Sequence, residues 1–171
     1  MTDTPPPYAR ITSWPDLLAT AQAILAQREK RYPQEVERGR MTSADAERGL
    51  RIARALVRQW QAVVDRADWY DAESDFAFGD GSTGAGEVEL RTDLARASMI
   101  AAERAAANPG DERLKVFADH IAALAWHQRP FGAGQCPHIE GVHKLNQAAR
   151  ARADEFILES TNPDISWSAA A

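Results

Sequence analysis

The chain has 171 residues, 44% of them hydrophobic, which is ample for one compact core and marginal for two. Twenty Lys and Arg against 25 Asp and Glu leave a formal net charge of -5, which excludes the globally basic profile of an ordinary nucleic-acid binder. The single cysteine excludes an intramolecular disulfide, the opening MTDTPPPYAR lacks the apolar core of a signal peptide, and no apolar run approaches the roughly 18 residues that span a bilayer. The expectation is a cytoplasmic protein without membrane contact.

Residues 1–12 carry a proline run and read as a flexible, extended arm. Ser13 is then a good N-cap, with Pro15 tolerated in the first turn and Asp16 in the acidic slot. Leu17, Leu18, Ala21, Ile24, Leu25 and Arg28 recur at the three-four spacing of an amphipathic helix. Pro33 disfavours helical geometry at Tyr32, so this helix is expected to stop or kink there. After Gly39, a new N-cap falls at Thr42 or Ser43. At about 100° per residue, Leu50, Ala53, Leu56, Val57, Trp60, Val63, Val64 and Ala67 share one face of a second helix. Arg48, Arg51, Arg54 and Arg58 form a ridge on the opposite face. The two helices read as an antiparallel hairpin over roughly residues 13–69.

Charge is uneven in the same region. Residues 28–66 hold ten basic and six acidic side chains, whereas residues 67–113 hold four and eleven. The arginine ridge is therefore the candidate binding surface, its side chains exposed and suited to phosphate or an acidic partner; pairing with nearby Glu and Asp is the competing reading. A DNA-reading helix-turn-helix is disfavoured, because that motif uses a tight turn and aims the start of its second helix at bases. Here Pro33 to Thr42 is about twice that length, and the second helix opens with Asp45 and Glu47, which would repel phosphates.

The segment RYPQEVERGRMTSADAERGLRIARALVRQW resembles a recurring one in short, uncharacterised prophage-encoded helical proteins. The shared pattern is a basic helix end, Tyr-Pro, a GRMT-like turn, and an alanine-rich, acidic helix start that ends at a bulky aromatic. It covers about residues 28–60. The resemblance implies a mobile-element context in a bacterial host, and no activity.

Residues 70–89 continue into a glycine-rich, acidic loop, with the FAF and VEL tripeptides as candidate hairpin strands. Its GDGSTGAG lacks the lysine and spacing of a phosphate-binding loop, and Asp71, Glu73, Asp75 and Asp80 do not fit a calcium loop. A third helix is expected from Thr92 or Asp93 until Asn108-Pro109-Gly110 stops it. Asp111 or Glu112 opens a fourth, with an apolar stripe of Leu114, Phe117, Ala118, Ile121, Leu124 and Ala125. A fifth runs from about His138 to Glu159, burying Ile139, Val142, Asn146, Ala149, Ala153, Phe156 and Ile157. Residues 161–171 should fray.

All four histidines and the cysteine fall between residues 120 and 143. Cys136, His138 and His143 are metal-competent, and zinc accepts such a mixed set. Their spacing is unfavourable: His120 and His127 stand about 10 Å apart along one helix, and His138 and His143, five apart, point to different sides. No nucleophile-elbow, HExxH or CxxC pattern is present, so no catalytic residue is assigned. The sequence thus describes an all-α fold, a helical hairpin packed with about three further helices in one domain over 13–160. It favours a non-enzymatic accessory protein that binds a protein or nucleoprotein partner. The alternatives are a metal-binding or hydrolytic protein using the cluster at 136–143, and a self-assembling component marked by surplus exposed apolar residues.

Overall fold

The structure is a computed structural model that describes residues 6–11, 13–67, 70, 83–131 and 136–161. Among these the fold is all-α, with helices α1 (Trp14–Glu37), α2 (Ser43–Asp65), α3 (Glu87–Ala106), α4 (Glu112–Gln128) and α5 (His138–Thr161). Between α4 and α5 lies a two-residue antiparallel pair, Pro130–Phe131 with Cys136–Pro137. No helix is long and apolar enough to cross a membrane among the described residues.

The hairpin is antiparallel, as expected. Trp14 at the start of α1 meets Trp60 near the end of α2, with ring centroids 6.1 Å apart. At the other end Arg28 donates to the Gly49 carbonyl at 2.8 Å. Thr42 caps α2, its hydroxyl accepting from the Asp45 N–H at 3.0 Å and so satisfying one of the free donors of the helix start.

Pro33 does not end α1; the helix continues through it to Glu37. Contacts outside the helix hold the last turn. The Tyr32 ring lies over Gly49, where a side-chain carbon would come within 2.7 Å of it, and Glu35 pairs with Arg40 at 2.8 Å. The connection to α2 is consequently only residues 38–42.

The start of α3 also differs from expectation, lying at Glu87 rather than Thr92 or Asp93. The VEL tripeptide is helical and not a hairpin strand; FAF lies outside the described residues. The core is built from Leu17, Ile24, Leu56, Trp60, Leu90, Leu94, Leu124 and Ile139, all buried. Each such apolar side chain contributes about 1.5–3 kcal/mol by leaving water. Residues 7–10, expected in a flexible arm, form a 3-10 turn, and Tyr8 meets Trp126 edge-on at 6.3 Å. An aromatic ring with an apolar slot to fill is reason enough for that part of the arm to dock.

Candidate functional site

Three features bear on function: the arginine ridge, the histidine cluster and the far half of α5. The ridge faces the beginning of α3. Arg51 makes a two-pronged contact with the Glu89 carboxylate, at 2.8 and 3.0 Å, and donates to the Gly84 carbonyl at 2.6 Å. Its side chain is 13% exposed, so the expectation of an open cation fails here. Arg48 reaches the same carboxylate at 3.2 Å from a more exposed position. Arg54 pairs with Glu29 at 3.6 Å. Arg58 donates to the Tyr70 hydroxyl at 3.2 Å and to the Thr83 carbonyl, with its guanidinium over the Tyr70 ring.

Glu89 is the centre of this arrangement, and the sequence reading passed over it. The hydrogen bond from Arg51 holds its carboxyl below the usual range, and the nearby positive charge acts in the same direction. Glu89 also accepts from the Gly86 N–H at 3.3 Å, which fixes where α3 begins. Arg48, Arg51 and Arg58 thus latch α2 to the start of α3 and the chain before it, their donors occupied by this chain's own carboxylate, carbonyls and hydroxyl. The clue was available in sequence as an acidic stretch directly after a basic helix.

The histidines divide into separate environments. Thr20 gives its hydroxyl proton to the Asp16 carbonyl at 2.9 Å, so its oxygen is left to accept from His120 Nδ1 at 3.1 Å, joining α1 to α4. His127 is 3% exposed, packed edge-on between Trp14 and Trp60, with its Nδ1 3.1 Å from Nδ1 of His138. A single proton between those nitrogens makes a hydrogen bond; two would repel. Burial pushes His127 down to about 4, with His138 and Arg129 adding to the effect. Burial lowers His138 as well, followed by Arg129. Arg129 itself stacks on Trp126, its guanidinium carbon 3.5 Å from the ring centroid.

His138 is therefore brought to His127, a pairing the sequence analysis did not consider. His143 is buried on α5, and the Cys136 side chain lies outside the described residues. No three His, Cys, Asp or Glu side chains come together to hold a metal ion among the described residues. Nearby, Gln59 Oε1, Trp60 Nε1 and both amide atoms of Gln128 are buried without a hydrogen-bond partner among the described residues.

The first half of α5 docks through Ile139 and Val142. Three donors then cap the carbonyls at the end of α2. Asn146 reaches Val63 at 2.9 Å, Gln147 reaches Ala67 at 3.4 Å, and Arg150 reaches Arg66 at 3.0 Å. There α2 has run out, and residues 151–157 of α5 are exposed throughout. Ala153, Phe156 and Ile157 are consequently not buried as the periodicity predicted. Leu145 is 69% exposed, Phe156 71% and Ile157 55%. At about 100° per residue, Leu145, Ala149, Ala153 and Phe156 fall within about 80° of arc, with Ile157 at the margin. An open groove of about 520 Å³ runs beside this half, lined by Arg66, Ala67, Gln147, Arg150, Ala151 and Asp154. It holds two arginines against one carboxylate, and Arg150 is already engaged.

Comparison of the chain with protein-family models, with curated proteins and with solved structures finds no match in any of the three.

Proposed function

We propose that this chain is a non-enzymatic binding protein whose partner is a protein, engaged by the apolar stripe along α5. The observation that carries the reading is the exposure of Leu145 on α5 and of Phe156 and Ile157 on its far half, which has outrun its own core. Grouped apolar side chains of this size mark interaction surfaces more often than isolated ones do. Nucleic acid is the less suitable partner, because Arg51 and Arg58 hold the chain's own backbone and Glu89 takes up Arg48. An accessory role in a mobile element, implied by the resemblance over residues 28–60, belongs to the same proposal.

The test is a titration against short double- and single-stranded DNA across a salt series, with an Arg48→Glu, Arg54→Glu variant alongside, since these two arginines are the more exposed. No binding is expected even at low salt. A complex whose log affinity falls with log salt, and which the variant abolishes, would overturn the reading, because that slope counts released phosphate counterions.

A further inference from the structure

We infer that the partner is a second copy of this chain, and that two α5 helices pair antiparallel about a two-fold axis near Ala153. The inference rests on the protein-binding reading above and names the occupant of the stripe.

Helical stability supplies the first reason. Residues 151–161 extend about 16 Å beyond the last contact with α2, and helices in proteins draw most of their stability from packing of an apolar face, which a neighbouring helix would supply here. Phe156 and Leu145 gain cover from a neighbouring helix, and Ala149 and Ala153 between them are small enough for the two axes to approach closely.

Charge order supplies the second and selects the orientation. Along this half the sequence runs Arg150, Arg152, then Asp154, Glu155 and Glu159, basic before acidic. Antiparallel pairing centred near Ala153 sets Arg152 level with Asp154 of the second copy, and Arg150 within one turn of Asp154 and Glu155 of the second copy, once on each side of the axis. Parallel pairing would place arginine on arginine and carboxylate on carboxylate. The Arg150–Asp154 contact within one chain, at 3.8 Å and exposed, is weak enough to be exchanged for the new one. A surface whose charges complement their own two-fold image is what a closed dimer requires.

The experiment is sedimentation velocity of the full chain over a concentration series, with Phe156→Glu in parallel. The expected result is a rise to twice the mass of one chain, with dimerisation weakened at least about 30-fold in the variant, as for a central anchor residue. Orientation is read by oxidative cross-linking in a Cys136→Ser background. Ala153→Cys should cross-link to itself. Ala149→Cys should not, because antiparallel pairing separates the two positions by about 12 Å along the axis, beyond the roughly 7 Å a disulfide can bridge.

A monomer at every concentration overturns the inference. So does a Phe156→Glu chain that pairs as well as the parent, or an Ala149→Cys chain that cross-links as readily as Ala153→Cys. A monomer that also ignores DNA removes self-pairing alone, whereas salt-dependent DNA binding removes the protein-binding reading beneath it.

Discussion

His127 is packed between two tryptophans, where burial favours its neutral form and makes the fold sensitive to acid at this ring. The unfolded chain takes up a proton on this ring near 6.5, the folded chain only near 4. Between those values the unfolded state binds more protons, so stability must fall as the pH falls through that window, by roughly 3 kcal/mol in all. Thermal unfolding followed from pH 7 to pH 4 should show the decline, and His127→Phe should flatten it. An unchanged slope in the variant would place the acid sensitivity elsewhere. Gln128 offers the opposite experiment. Its amide is buried with neither atom bonded, an arrangement that costs about 1–3 kcal/mol. Gln128→Met keeps the volume and removes the orphaned groups, so urea unfolding should show equal or greater stability. A loss would mean that the amide has a partner in solution. The sequence placed the apolar stripe of α4 correctly at Ala118, Ile121 and Leu124, yet neither His127 nor Gln128 could be recognised as core, because a polar side chain carries no periodic signal of burial.

Elements were most legible where local chemistry alone decides. The caps at Thr42 and Asp111 and the arginine face of α2 follow from residue type and spacing, and the structure places them there. The errors occur where a distant contact overrules the local rule. Pro33 was expected to stop or kink α1, and it does not stop it, because Tyr32 and Glu35 are held from outside the helix. The VEL tripeptide has strand character, but Arg51 fixes Glu89 and starts a helix through it. A latch of this kind makes a specific energetic demand. Arg51→Ala should cost about 2 kcal/mol in denaturant unfolding, because it strands a half-buried carboxylate, whereas Arg48→Ala, removing a more exposed partner of the same carboxylate, should cost under about 0.5 kcal/mol. A double-mutant cycle joining Arg51→Ala to Glu89→Gln should recover most of the larger loss as coupling. Equal costs at the two arginines would dissolve the latch into ordinary surface charge.

For the molecule as a whole, the all-α class and the hairpin could be read from hydrophobic period, since amphipathic faces must be buried against one another. What could not be read was how far each face extends under cover. Periodicity marks Phe156 and Ile157 as inward-facing with no knowledge that α2 ends before reaching them, so a surface exposed in this chain and a core position look alike in sequence. Charge was ambiguous in a similar way: the arginine ridge read as a binding surface or as a partner of nearby carboxylates, and in space Glu89 takes up Arg48 and Arg51. The same mutual satisfaction has a topological consequence. Arg58 grips both Tyr70 and Thr83, and so holds two points far apart in the sequence against one side chain. By joining Tyr70 to Thr83, Arg58 fastens the chain that follows α2 to the chain that precedes α3, so one guanidinium ties together two points 13 residues apart in sequence.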